Sequence, residues 1–329
     1  MSGNNCVRQV AIAPMMGWTH EHFRTFIRMI SIDFKLYTEM VIAEKLIQHQ
    51  GFRELKFTPH HHPIVLQLGG SDPKVLATCC KIAWYLGFDE VNLNVGCPSK
   101  KVRSGKMGAV LMKDPLLVAS CLKAMKEASP LPVSFKTRLG VDDLDDEVFF
   151  TDFVGQVTEG SGCHHVIVHA RKAFLKGLSA KENRHIPPLN YQRVIRVKQH
   201  FKHLTWEING GIKTVESVIA FLSDFDGVML GRVAYENPLM LLRLQEALTG
   251  KPVKSMEALL LDYLEYARVQ VVELGVNSYY VLKPFLSVYI QTYGEKNWHS
   301  FCNRFQKGQP SHFCEALLEA MSYPLKLSE

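Results

Sequence analysis

A thiol stands at Cys97 in the run Asn94-Val95-Gly96-Cys97-Pro98-Ser99, directly after the apolar stretch Val91-Asn92-Leu93 and directly before Lys100, Lys101, Arg103 and Lys106. Glycine and proline hold a turn open at the mouth of an expected strand, which sets the thiol beside positive charge. A cysteine so placed suits reactive or acid–base chemistry; the alternative is a packed bystander. Lys136 and His169 are two further chemically capable residues, and Asn209-Gly210-Gly211 and Gly231-Arg232 offer bare amides and a guanidinium. The histidine groups His60-His61-His62 and His164, His165, His169 bring no second ligand group at a standard spacing, so no metal is expected.

These residues need elements to hold them. Eight short apolar runs cover residues 10–13, 34–38, 64–68, 90–94, 132–136, 165–169, 204–208 and 227–230, and they alternate with stretches of helical periodicity. Ser71-Asp72-Pro73, Asp114-Pro115 and Thr214 with Glu216 supply helix starts. Eight β-then-α units within about 245 residues match a (β/α)8 barrel in count and size, so the fold class is α/β, a TIM barrel. After Gly250-Lys251-Pro252 the alternation stops and only helical signals follow, 256–274, 277–292, 297–305 and 311–321. The expected division is a barrel domain over 1–248 and a small all-α domain over 249–329.

Composition limits the alternatives. With 329 residues, 47% hydrophobic and 21% charged, the chain can bury a substantial core as an ordinary globular protein. Charge interrupts its apolar stretches short of a bilayer span, and no apolar signal core opens it, so a cytoplasmic protein with no membrane partner is expected. Eight scattered cysteines give no disulfide framework. The net charge of +6 is unevenly spread: residues 171–202 hold nine Lys/Arg against the single acid Glu182, a local surplus of +8. With the four positive charges of 100–106, this suits a polyanionic partner; for Tyr191–Lys202 alone, a solvated helix face is the plainer reading.

In a barrel of this kind the active site lies at the carboxyl ends of the strands. Those ends read Pro14-Met15-Met16, Glu39, Gln67-Leu68-Gly69-Gly70, Asn94 to Cys97, Lys136-Thr137-Arg138, His169-Ala170-Arg171, Asn209-Gly210-Gly211 and Gly231-Arg232. Taken singly, Asn-Gly-Gly and Gly-Arg are turn chemistry, but after strands seven and eight they fall where such barrels bind phosphate. Phosphate there, with Gln67, Lys136 and His169 aimed at the axis, suits flavin mononucleotide (FMN), whose reduced ring is anionic along one edge. Lys136 has few structural excuses, because a buried unpaired ammonium is costly. His169 could be a satisfied barrel histidine, and Gln67 is open either way.

The same residues carry a family resemblance. Ala13-Pro14-Met15-Met16, Leu36-Tyr37-Thr38-Glu39-Met40, Val65-Leu66-Gln67-Leu68-Gly69-Gly70, Asn92-Leu93-Asn94-Val95-Gly96-Cys97-Pro98, Lys136-Thr137-Arg138, His169-Ala170-Arg171-Lys172, Ile208-Asn209-Gly210-Gly211 and Asp226-Gly227-Val228-Met229 resemble the tRNA-dihydrouridine synthases. Lys181-Glu182-Asn183-Arg184 followed by Ile186-Pro187-Pro188-Leu189 is similar to their A subgroup, which acts on D-loop uridine at positions 20 and 20a of tRNA. The likeness runs from about residue 9 to 248 and is weaker beyond.

The resemblance implies an FMN enzyme, driven by NADPH, that reduces the C5–C6 double bond of uridine. Hydride from flavin N5 would go to C6, and Cys97 would give a proton to C5; a thiol is ordinarily protonated near neutrality. Pro14, Met15, Met16, Gln67, Lys136, His169, Asn209, Gly210, Gly211, Gly231 and Arg232 would bind FMN. Asn94 would touch the uridine, and Lys181, Arg184, Lys296 and His299 the tRNA, with His299 standing where the subgroup has arginine. A monomer is expected. The target base, folded into the tRNA, must be extruded to react. A small-molecule FMN oxidoreductase of the dihydroorotate dehydrogenase or ene-reductase type is the alternative, as is an RNA-binding barrel without catalysis. The first has no need of the +8 segment; the second leaves Cys97, Lys136 and His169 without a task.

Overall fold

A computed structural model describes residues 9–48 and 55–293. Its strands are β1 (Gln9–Ile12), β2 (Lys35–Tyr37), β3 (Val41–Ile42), β4 (Ile64–Gly69), β5 (Glu90–Asn94), β6 (Val133–Arg138), β7 (His165–His169), β8 (Thr205–Asn209) and β9 (Gly227–Leu230). Neighbouring strands pair in parallel around the order β2-β1-β9-β8-β7-β6-β5-β4-β3, and a pairing of β2 with β4 closes an eight-stranded barrel. All eight expected runs lie on barrel strands. The additional β3, beside the end of β4, is two residues long and too short to show a period.

The interior follows from strand alternation. Ala11, Ala13, Tyr37, Val65, Ile167 and Met229 form one buried cluster although they come from five strands, which only the barrel axis brings together. Facing out from the barrel strands toward the helices, Leu36, Leu66, Leu93, Phe135 and Ile208 are fully buried. The helices around them begin on side-chain caps: Asp72 accepts from the N–H groups of Lys74 and Val75, Asp114 from Leu117, Asp146 from Phe149 and Asn190 from Arg193. Each such cap stabilises its helix by about 1 kcal/mol. Gly87 and Gly162 end two of the helices in the left-handed region, at φ 86° and 62°.

The chain divides into two units. One holds the chain to Thr19 and Asp33–Gly231, the barrel; the other holds His20–Ile32 and the chain from Arg232 onward. Among the described residues the second unit is all-helical, built from Glu21–Ile30, Val233–Glu236, Pro238–Thr249, Met256–Arg268 and Ser278–Tyr293, with one π-helical turn at Val269–Glu273. Phe26 meets Tyr263 edge to face at 5.1 Å, and the Tyr263 hydroxyl donates to the Val281 carbonyl at 2.6 Å. His22 Nδ1 lies 2.7 Å from the Tyr266 hydroxyl.

This grouping departs from the expected division at 248. The helix Glu21–Ile30 and residues 232–248 belong with the helical unit, because a helix's periodicity shows that it buries a face but not against which neighbour. The expected helices 297–305 and 311–321, and with them Lys296 and His299, lie outside the described residues.

Candidate active site

Strand register sets the first layer of the site. Asn94 pairs with Lys136 across β5 and β6; Arg138, His169, Asn209 and Met229 form one lateral row across β6 to β9. All stand at or within two residues of the carboxyl ends of their strands, so the pairing of β5 to β8 brings together Asn94, Lys136, His169 and Asn209 from the expected set.

The Cys97 turn is clamped at each of its peptides. Asn94 Oδ1 accepts from the N–H of Gly96 at 3.2 Å and of Cys97 at 2.9 Å. The Gly96 carbonyl accepts from Arg138 Nε at 2.9 Å, and the Cys97 carbonyl from the Ala109 N–H at 2.9 Å. Gly108 makes the last contact possible: at φ 76° a Cβ there would sit 2.5 Å from the Cys97 carbonyl oxygen. The thiol itself is half-buried and packs against Met40, Val102 and Met107. The other described cysteines, Cys79, Cys80, Cys121 and Cys163, are buried, and burial pushes their thiols up to between about 11 and about 12. Among the described cysteines Cys97 alone is within reach of a reaction.

Lys136 reaches Asn209, its Nζ 2.9 Å from Oδ1, while Asn209 Nδ2 donates to the Met229 carbonyl at 2.7 Å. Burial, and after it the positive charge of Arg138, pulls the Lys136 ammonium down to about 7. His169 is held well below its ordinary value by burial and by Arg138, Lys136, Arg171 and Arg184, so its imidazole is neutral. Gly210 and Gly211 turn beside it at φ 110° and 72°; a Cβ on Gly210 would fall 2.5 Å from the His169 ring, and one on Gly211 would strike Leu189. The Tyr191 hydroxyl donates to the Gly210 carbonyl and fixes this turn. At Gly231, a Cβ would meet open space. Arg232 follows it as the first residue of the second unit.

Gln67 sits lower. It is 1% exposed, donates to Asn92 Oδ1 at 2.8 Å and accepts from Asn94 Nδ2 at 2.9 Å, so both ends of its amide are engaged inside the barrel. At the first strand end, Met15 packs against the interior cluster and its N–H and carbonyl both bond the Thr19 hydroxyl; Met16 is 62% exposed.

The basic segment sorts into two groups. Arg196 pairs with Glu147 at 2.7 Å and Lys172 with Asp145 at 2.9 Å; Lys198 donates to the Asp224 carbonyl, Arg193 to that of Asp145 and Arg171 to that of Pro187. These charges are engaged with neighbouring helices and loops. Lys176, Lys181 and Arg184 are exposed, as are Lys100, Lys101 and Lys106 on the Cys97 side. Between Lys181 and Arg184 lies Asn183, fully buried: its Oδ1 accepts from the Phe174 N–H and its Nδ2 donates to the Phe174 carbonyl. Arg138 Nη1 in turn donates to the carbonyls of Asn183 and Lys172. Arg138, Asn183, Tyr191 and Gly108 join the expected residues here. Arg138 had a signal, standing two residues after Lys136 on one face of β6; a lone Asn or Gly in a loop has none.

A closed (β/α)8 barrel with a clamped thiol, a depressed ammonium and a neutral imidazole at the carboxyl ends of its strands defines a barrel enzyme. The family described as Dihydrouridine synthase (Dus) matches residues 11–314. A protein of Vibrio parahaemolyticus named tRNA-dihydrouridine(20/20a) synthase is 42% identical over 316 residues, 95% of this chain and 96% of its own. Proteins of the same name are 42% identical in Escherichia coli, over 96% of this chain and 90% of their own, and 49% identical in Xanthomonas campestris, over 80% and 78%. The chain belongs to the dihydrouridine synthase family.

Proposed function

We propose that this enzyme reduces the C5–C6 bond of uridine at positions 20 and 20a in the D-loop of tRNA, with FMN as cofactor and NADPH as reductant. The observation that carries the reading is Lys136, an inward-pointing ammonium with depressed proton affinity and a neutral amide, Asn209, as its partner. Among the described residues it has no carboxylate within ion-pair distance, so an anionic ligand suits it. The glycine turn 210–211, with no room for a Cβ, and the open space at Gly231 fit a phosphate drawn against bare amides.

Lys136 would hold the anionic edge of the flavin. Neutral His169 would donate one N–H to it, and Asn209, Gly210, Gly211 and Gly231 would take the phosphate with the Pro14-Met15-Met16 backbone alongside. When bound, the flavin supplies the hydride that goes to C6. Cys97 then donates its proton to C5, and its clamped backbone fixes the position from which it does so. Asn94 holds the turn and has its acceptor spent on Gly96 and Cys97, so its contact to the uridine would come through the Nδ2 side. Lys181 and Arg184 would grip tRNA phosphates; a small-molecule substrate gives them nothing to do.

The test is direct. Unmodified tRNA, NADPH and the purified yellow protein should give dihydrouridine at positions 20 and 20a. A protein that takes up no FMN, or tRNA that returns unchanged, overturns the proposal.

A further inference from the structure

Four ionisable side chains meet at the amino-terminal end of the barrel, away from Cys97. Lys35 Nζ lies 2.9 Å from Glu90 Oε2 and 3.7 Å from Glu207 Oε1, and His165 Nε2 lies 2.9 Å from Glu207 Oε1, with its Nδ1 3.6 Å from Glu90 Oε1. Tyr37 is buried beside the same two carboxylates. Gly227 leaves room for them: a Cβ there would stand 2.7 Å from Glu207 Cγ.

From Glu90 a hydrogen-bond chain climbs to the active site, every donor aimed the same way. Ser134 Oγ donates to Glu90 Oε1; Asn92 Nδ2 donates to Ser134 Oγ at 2.8 Å; Gln67 Nε2 donates to Asn92 Oδ1 at 2.8 Å; Asn94 Nδ2 donates to Gln67 Oε1 at 2.9 Å. The backbone N–H groups of Gly96 and Cys97 then donate to Asn94 Oδ1. Gln67, Asn92 and Ser134 are lateral partners on β4, β5 and β6, so sheet register places them within reach of one another.

The two ends of this chain fix its direction. A carboxylate only accepts and a backbone N–H only donates, whereas a hydroxyl and a carboxamide do either. Because Glu90 accepts, Ser134 must donate to it and is left to accept from the amino group of Asn92. Each amide then turns its oxygen toward the next, ending with the oxygen of Asn94 facing the Cys97 turn.

We propose that Glu90, Ser134 and Asn92 are positioning residues for Cys97, and that the Glu90 carboxylate, about 13 Å down β5 from Asn94, sets which face of the Asn94 amide holds the turn. This rests on the reading of Cys97 as the proton donor.

The test uses the full-length flavin-loaded protein. Ser134→Ala breaks the chain at its bond to Glu90 while leaving the four ionisable side chains in place, and Glu90→Gln substitutes a group that can donate. Cys97 alkylation by iodoacetamide is followed on its own peptide by mass spectrometry, alongside flavin content, flavin reduction by NADPH and uridine reduction in tRNA. Ser134→Ala is expected to change the alkylation rate at least threefold and to slow uridine reduction about tenfold, with flavin content and flavin reduction within twofold of the parent. Glu90→Gln should act in the same direction, and the double variant should be no worse than the stronger single one. If Ser134→Ala folds and leaves the alkylation rate and uridine reduction unchanged, the proposal is wrong; losses that track flavin content also overturn it. Failure of the donor reading shows differently: Cys97→Ala would keep reducing uridine while the alkylation shift in Ser134→Ala persisted.

Discussion

Lys136 Nζ lies 2.9 Å from Asn209 Oδ1, although the two residues stand on strands separated by β7 and by 73 positions in sequence. Asn209 presents its oxygen because its amino group is committed to the Met229 carbonyl. The ammonium is thereby oriented but not neutralised, and burial holds its pKa near 7.

Flavin binding should therefore be pH-dependent. An anionic ligand binds the charged lysine, and above about pH 7 the ligand-free enzyme must take up a proton to provide it. Affinity of apoenzyme for FMN, followed by flavin fluorescence between pH 6 and 9, is expected to be flat on the acid side and to fall toward tenfold per unit above 7. Lys136→Met should weaken binding and abolish the slope. A slope that survives in Lys136→Met assigns the proton elsewhere.

Removal of the thiol separates the two half-reactions. Cys97→Ala should retain flavin and its reduction by NADPH, and lose uridine reduction by about 10²- to 10⁴-fold, the usual contribution of a positioned general acid. Stopped-flow flavin reduction together with dihydrouridine mapping reads both; undiminished uridine reduction would refute the acid role.

The same loop can be moved without touching the thiol. Gly108→Ala places a Cβ 2.5 Å from the Cys97 carbonyl and asks alanine to adopt φ 76°. A stability loss above about 1 kcal/mol is expected in denaturant titration, with slower uridine reduction and unchanged flavin content.

Charge reversal distinguishes the two groups of basic residues. Lys181→Glu with Arg184→Glu should weaken tRNA binding and flatten the slope of log affinity against log salt by about two or more, one unit per lost phosphate contact, while sparing FMN. Arg196→Ala, which removes an exposed pair with Glu147, should leave tRNA affinity unchanged. Equal effects of both would mean that the field of the whole segment, and not these contacts, binds the RNA.

The ionic cluster below the site predicts a stability window. Against the cost of burial, Glu207 and Glu90 hold His165 above its ordinary value, so its contribution is complete below the unfolded pKa of about 6.5 and is lost as pH rises through the folded value. Against burial, His165 and Lys35 hold Glu207 below its ordinary value, so its contribution is present above the unfolded pKa of about 4.3 and is lost as pH falls through the folded one. Thermal unfolding should show greatest stability between these limits. Glu207→Gln should cost about 3–5 kcal/mol, the penalty for breaking a buried pair, and flatten the acid limb; a flat profile in the parent would contradict the cluster's role.

The eight strands, their order and the residues at their carboxyl ends were legible because apolar runs, helix caps and glycine turns are local signals. Cys97, Lys136, His169 and Asn209 could be read for the same reason: each stands at or within three residues of the carboxyl end of its strand, and a barrel sends every strand end to one mouth. The helix Glu21–Ile30 was assigned to the barrel and groups with the helical unit, since periodicity reports an apolar face without naming its partner. The +8 surplus suits a polyanionic partner, with Tyr191–Lys202 taken alone as a solvated helix face, yet Arg171, Lys172, Arg193, Arg196 and Lys198 are engaged within the fold.

What the sequence alone determined is the set of chemically capable groups and the strand ends that carry them, because backbone periodicity and turn chemistry act over a few residues. What only the tertiary structure decided is which way those groups are turned. Glu90, Ser134, Asn92 and Gln67 look in sequence like alternate residues of three strands; only the lateral pairing of β4, β5 and β6 makes them one hydrogen-bond chain ending at Cys97, since its links join positions 25 to 44 residues apart. Hydrogen-bond direction is a property of neighbours in space, and a sequence records neighbours along the chain.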